Sequence, residues 1–204
     1  MERSFDIYLA SGSPRRRELL DQIAVSYKVI RQDVAEDIKP GESPQDYVQR
    51  LALEKARAGW MALAGDERRP VLGADTAVVI DDQILGKPRD RDQGLAMLAQ
   101  LSGRCHEVYS AVAMVAQTEA VTINCSRVCF ATLDSAMREA YWDSGECHDK
   151  AGAYGIQGRA AMFISKLDGS YSGVMGLPLF ETTKLLKQFG IDPLKRDHRH
   201  STHA

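Results

Sequence analysis

The chain has 204 residues, with 26 Lys and Arg against 28 Asp and Glu and a formal net charge of −2. That length supports one domain with a sizeable core, and nothing in the charge balance provides the basic excess that a nucleic acid polymer requires. No apolar run approaches the roughly 20 residues of a membrane span, and the opening "MERSFDIYLA" lacks the apolar stretch and small-residue cleavage site of a secretory leader.

In chain order, "DIYLA" reads as a short buried strand. Ser13 is a good N-cap and Pro14 suits the first helical position, which predicts a helix to about Ala24. "YKVIRQ" alternates like a strand. A long helix is expected over "GESPQDYVQRLALEKARAGWMALAG", with Ser43 as cap, Pro44 next and Asp46 in a near capping box. "VLGADTAVVI" and "QILGKP" read as a hairpin with a tight turn at Asp81 and Asp82. Asp90 opens a third helix that Gly103 closes. Two long strands follow, "CHEVYSAVAMVA" and "AVTINCSRVCFATL", then a fourth helix from Asp134 to Gly145. "DKAGAYGIQG" is expected to be a loop, and "MFISKLDGSYSGVMG" a strand pair turning near Asp168 and Gly169. "LPLFETTKLLKQFG" is the last helix. The domain is expected to span 1–191, leaving 192–204 as a frayed polar tail whose His198, His200 and His203 are incidental. Interleaved helices and strands, with no internal repeat, predict an α/β fold with a mixed sheet. Cys105, Cys125, Cys129 and Cys147 form no CxxC pair and are expected to be reduced thiols in a cytoplasmic protein.

Three features break local rules. Arg15, Arg16 and Arg17 crowd the positive end of a helix dipole, where acidic residues are favoured. They are either a solvated basic first turn or, with Gly12 and Ser13, a phosphate site at a helix N-terminus. There is no GxxxxGK[ST] loop. Lys55 falls in the middle of the apolar face formed by Val48, Leu51, Ala52, Gly59 and Ala62. It either snorkels to the surface or lines a cleft and meets an anion. Asp75 interrupts an otherwise apolar strand and must be paired, hydrogen-bonded or metal-bound. Lys87 follows at a strand end, and Glu36 sits in a polar loop. Gln157, in a Gly-rich loop with Tyr154, has an amide able to donate and accept along a base edge.

"LASGSPRRRELL", "GADTAVVIDDQILGKPRD", "LSGRCHEVYSAVAM", "DKAGAYGIQG" and "GSYSGVMGLPL" together resemble the Maf family in order and spacing, from Tyr8 to about Phe189. The resemblance implies a nucleoside triphosphate pyrophosphatase with a mixed twisted sheet flanked by helices, in an inosine triphosphatase-like fold of two lobes with a substrate cleft between them, often as a homodimer. Residue by residue it implies that Asp75 is the catalytic carboxylate. Arg15, Thr76 and Gln157 fall at positions tied to substrate choice, and Ser11, Arg16, Glu36, Lys55 and Lys87 in the polar cleft. The double arginine after "SP", the threonine after the aspartate and "GIQG" are similar to the subgroup that cleaves dTTP and UTP. The expected reaction is metal-assisted attack of water between the α and β phosphates, giving a monophosphate and pyrophosphate and serving nucleotide-pool cleaning. Mg²⁺ suits such a site, with Mn²⁺ as the other candidate, and Glu36 and Asp75 would be its carboxylates. A nucleotide-binding regulator of cell division with little turnover is the other function class.

Overall fold

The computed structural model describes residues 5–31, 33–65 and 68–195. Among them one mixed sheet has the strand order β2-β1-β3-β5-β6-β7, with β4 also paired to β3. The strands are β1 (Ile7–Leu9), β2 (Tyr27–Val29), β3 (Val71–Ile80), β4 (Gln83–Leu85), β5 (Cys105–Val115), β6 (Glu119–Phe130) and β7 (Ile164–Asp168). The helices are α1 (Pro14–Gln22), α2 (Pro44–Ala62), α3 (Arg91–Leu101), α4 (Ser135–Asp143), α5 (Tyr171–Met175) and α6 (Leu179–Gln188). β1 runs parallel to β2 and β3, and every other pairing is antiparallel. This is the mixed α/β sheet flanked by helices that the sequence implies.

Strand alternation divides β3 between two layers. Ala77 and Val79 face α2, where Val48, Leu51, Ala52 and Ala56 pack on them and on Ala111 and Ala113 of β5. The opposite face carries two separate apolar clusters. Leu19, Leu20, Leu185 and Leu186 cover Ile7, Leu9, Leu72, Ala74, Val112 and Met114. At the other end Met97, Leu98, Leu101, Tyr141 and Phe163 cover Val78, Ile80, Val108, Val128 and Phe130. Between these clusters the same face turns polar, with Thr76, Ser110 and Asn124 side by side in register across three strands.

The caps behave as their residue types dictate. The side chains of Ser13, Ser43, Asp90 and Asp134 accept from the backbone N–H of Arg16, Asp46, Gln93 and Met137 respectively. Asp81 and Asp82 turn the β3–β4 hairpin with φ of 51° and 59°, the conformation of a two-residue primed turn.

Four expectations are corrected. α1 stops at Gln22, because Ala24 takes φ 55° and closes the turn by donating to the Asp21 carbonyl. Among the described residues the alternating "YKVIRQ" forms strand only over Tyr27–Val29, an edge strand that pairs with β1 alone. After β7 the chain does not return as a strand: Ser170 accepts from Gly173 N at 2.9 Å and caps the short helix α5. Cys105 and Cys129 form a disulfide, because they face each other directly in the β5–β6 register with Cα atoms 3.9 Å apart. That removes the reduced-thiol argument for a cytoplasmic location, while Cys125 and Cys147 are free. The histidines of the expected tail, His198, His200 and His203, lie outside the described residues.

Candidate active site

β3 creates the site by being longer than its neighbours on one edge. β1 pairs with it at Val71 and Leu72, and β4 takes up the same edge only from Val78. Residues 73–77 are left between two strand ends, and a cleft of about 590 Å³ opens over them. Asp75 and Thr76 lie there on opposite faces of the strand. The cleft is lined by Ser11, Arg15, Arg16, Glu36, Lys55, Asp75, Thr76, Lys87 and Gln157, so every candidate residue from the sequence meets in one place.

The arginine turn enters from the end of β1. α1 has no acidic residue in its first turn, so the dipole's positive end stands with the arginines at the cleft. Arg16 turns inward. Its Nη1 donates to Ser11 Oγ at 3.0 Å and its Nε to the Gly176 carbonyl at 2.9 Å. Nη2 makes no hydrogen bond among the described residues and is available to a ligand. Burial lowers the Arg16 pKa, and Asp75 pulls it back up. Arg15 reaches Asp149, with Nη1 3.5 Å from Oδ2. Arg17 is exposed and does not line the cleft.

α2 approaches from the other side, and one glycine decides how closely. A Cβ on Gly73 would sit 2.3 Å from the Ala52 carbonyl and 2.7 Å from Ala56 N. Only glycine lets the helix backbone lie this near the strand, and the approach brings Lys55 over Asp75. Of its two readings, the cleft-lining one holds: Lys55 Nζ donates to Asp75 Oδ1 at 2.7 Å and to Glu36 Oε1 at 2.5 Å. Asp75 is 7% exposed. Burial raises its pKa above the usual carboxylate value, against the pull of Lys55 and Arg16. Glu36 is shifted the other way. Its partial desolvation is outweighed by the Lys55 hydrogen bond and by the charges of Lys55, Lys87 and Arg16, which hold its pKa low. Two carboxylates sharing one ammonium are thus pushed apart in proton affinity, an arrangement that suits one of them to take a proton.

The far wall is the segment after α4. Tyr141 Oη accepts from Gly155 N at 3.2 Å and donates to Glu146 Oε1 at 2.8 Å, and Glu146 Oε2 accepts from Arg159 N at 2.8 Å. Tyr154 hydrogen-bonds His106 Nε2 at 2.8 Å and packs edge-on against Phe130. The loop that presents Gln157 is therefore fixed at both ends, by buried His106 and Tyr141 at one and half-buried Glu146 at the other. Asp149, Lys150, Tyr154 and Gly176 also line the cleft, and no local spacing rule marks them. Only their place within two motif segments could have drawn notice to them. Arg15, Arg16, Arg31, Lys55, Lys87 and Lys150 face the cleft against Glu36, Asp75 and Asp149, a positive surplus that suits a polyanion.

Glu36 and Asp75 supply hard oxygen donors, which suit Mg²⁺ by type, and the point that their Oε1 and Oδ1 share is held by Lys55 Nζ. Among the described residues no group of three or more His, Cys, Asp or Glu could hold a metal. An ion here would need ligand oxygens to complete its shell, which is how Mg²⁺ usually binds beside phosphates.

The family model described as "Maf-like protein" matches residues 6–189. A protein from Alkalilimnicola ehrlichii named dTTP/UTP pyrophosphatase is 56% identical over 189 residues, covering 91% of this chain and 94% of its own. Proteins of the same name from Saccharophagus degradans and Bordetella avium are 50% and 52% identical, covering 93% and 91% of this chain and 91% and 96% of theirs. Among solved structures, the Staphylococcus aureus Ham1 protein has a TM-score of 0.41 at 15% identity, over 62% of this chain and 72% of that chain; so loose a likeness carries no argument. The family match runs from the residue before β1 to the residue after α6, and with relatives at half identity or more across nine tenths of the sequence, the chain belongs to the Maf-like protein family.

Proposed function

We propose that the protein is a nucleoside triphosphate pyrophosphatase that hydrolyses dTTP and UTP to the monophosphate and pyrophosphate. The observation that carries this reading is the Asp75–Lys55–Glu36 constellation, with Asp75 buried and Glu36 at the open side, facing an arginine-bearing helix N-terminus across one cleft. The names of the curated relatives point the same way.

In the proposed reaction Arg16, Arg15 and Lys87 bind the phosphates, and Lys55 holds Asp75 in place. Asp75 accepts a proton from the attacking water. The water oxygen bonds to the α-phosphorus, the bond from that phosphorus to the α–β bridging oxygen breaks, and pyrophosphate leaves. Burial favours this role, because a carboxyl with a raised pKa is a better proton acceptor near neutral pH. Glu36 and Asp75 would hold Mg²⁺ together with substrate oxygens, and the ion would neutralise charge developing on the phosphates. A regulator that only binds nucleotide has no use for a desolvated carboxylate beside phosphates, where it costs affinity. Gln157 and Thr76 are the proposed base-reading residues.

The proposed setting is a cytoplasmic, homodimeric enzyme of nucleotide-pool cleaning. Among the described residues no helix is long and apolar enough to cross a membrane, and sedimentation of the purified chain tests the dimer. Pyrophosphate release from a panel of triphosphates at one concentration with Mg²⁺ tests the activity. Release is expected to be fastest with dTTP and UTP, and no release from any triphosphate would overturn the reading.

A further inference from the structure

We infer that Ser110, a buried residue of β5 outside the catalytic constellation, sets the hydrogen-bond polarity of Thr76 and so makes the site prefer bases with a donor at ring position 3, uracil and thymine, over cytosine, which has an acceptor there. This rests on the pyrimidine triphosphate reading above and adds a specificity-determining residue to it.

Ser110 is fully buried and sits directly across from Thr76 in the β3–β5 register. Its Oγ lies 2.6 Å from the Gly173 carbonyl and 2.9 Å from Thr76 Oγ1. A carbonyl has no proton to give, and two acceptors at 2.6 Å would repel, so the Ser110 proton lies on the line to Gly173. A serine hydroxyl has only one proton. The Thr76 contact must therefore run the other way, with Thr76 donating to Ser110. That spends the Thr76 proton inside the sheet.

The carbonyl that imposes this order is itself held in place. Gly173 N donates to the Ser170 cap at 2.9 Å, and the Gly173 carbonyl also accepts from Gly176 N at 2.9 Å. With both lone pairs engaged, it has no easy way to release Ser110. Thr76 is half-buried and lines the cleft, and its Oγ1 makes no other hydrogen bond among the described residues. What it presents to a ligand is lone pairs only. A base edge meeting it must donate. At ring position 3 uracil and thymine carry an imide N–H, whereas cytosine keeps its donor on the 4-amino group and carries a bare acceptor at position 3. Lone pair would then face lone pair, leaving both groups unsatisfied.

Ser110→Ala frees the Thr76 proton to turn toward the cleft and serve an acceptor. kcat/KM for UTP and CTP with Mg²⁺, and their affinities by calorimetry, are compared for the wild type, Ser110→Ala, Ser110→Cys and Thr76→Val. The preference for UTP over CTP is expected to fall about tenfold in Ser110→Ala. It should fall less in Ser110→Cys, whose thiol is a poorer donor, and be lost in Thr76→Val. A residue that merely fills space would lower both nucleotides alike and leave the ratio unmoved. An unchanged ratio in folded Ser110→Ala overturns the inference. If Ser110→Ala does not fold, an unchanged ratio in Ser110→Cys does the same, as does a wild type with no preference for UTP over CTP. Absence of pyrophosphate release by the wild type from any triphosphate overturns the pyrophosphatase reading instead. The ratio of affinities then still decides the role of Ser110.

Discussion

Replacing Asp75 with asparagine separates its chemistry from its structural role. Asparagine keeps the size of the side chain and leaves an oxygen for Lys55 Nζ, which lies 2.7 Å from Oδ1. It removes the charge and the basicity. If Asp75 takes a proton from water, kcat should fall by ~10²–10⁴, the usual scale for a general base, or about 3–5 kcal/mol of barrier at 1.36 kcal/mol per tenfold. Nucleotide affinity should hold or tighten, because a negative charge beside the triphosphate is gone. The stability change follows from the direction of the pKa shift. Burial, the largest influence, raises the folded pKa above the ordinary 3.8 despite Lys55 and Arg16. Between those two values the folded state binds more protons than the unfolded state, so Asp75 costs stability as pH rises through that window. At pH 7 the asparagine variant escapes that cost, while Lys55 keeps its Glu36 partner at 2.5 Å. Its Tm should therefore match or exceed that of the wild type. The assay is pyrophosphate release, nucleotide Kd and Tm on the same preparation. A stable variant that releases pyrophosphate at the wild-type rate would remove Asp75 from the mechanism. A large drop in Tm with normal turnover in the folded fraction would assign it a structural role only.

Arg16→Ala removes a cleft guanidinium and should weaken triphosphate binding about tenfold to a hundredfold, at roughly 1.5–3 kcal/mol for a charge-assisted contact; Arg17→Ala should be nearly silent, and equal effects in binding assays would refute the assignment. Excess chelator should abolish pyrophosphate release and added Mg²⁺ or Mn²⁺ restore it, whereas full activity in chelator would remove the metal role of Glu36. Gln157→Ala should cost more for dTTP and UTP than for purine triphosphates, and a uniform loss in kcat/KM would make Gln157 a support of its loop. His106 is 2% exposed, and burial lowers its pKa to about 4. Its contribution is complete above the ordinary 6.5 and is lost as pH falls toward 4, by about 3 kcal/mol. His106→Gln should flatten that slope in denaturant titrations at a series of pH values.

What the sequence determined by itself was local. Ser13, Ser43, Asp90 and Asp134 start helices because a short side-chain oxygen answers the unpaired N–H groups of the first turn, whatever the rest of the chain does. Asp81 and Asp82 turn the hairpin for a similarly local reason. Arg15 to Arg17, Lys55 and Asp75 were visible as violations of local rules, since each sets a charge where dipole or burial opposes it. Their roles came from a resemblance, not from those violations. Tertiary structure alone decided what answers each charge. That Lys55 lies between Asp75 and Glu36 depends on Gly73 letting α2 approach β3, a contact between segments distant in sequence. That Cys105 meets Cys129 depends on strand register, which a list of cysteine spacings does not contain. The direction of the Thr76 hydroxyl depends on a carbonyl brought from α5 to β5. Hydrogen-bond direction and charge pairing act over about 3 Å, so they are fixed only once the fold has made distant residues neighbours.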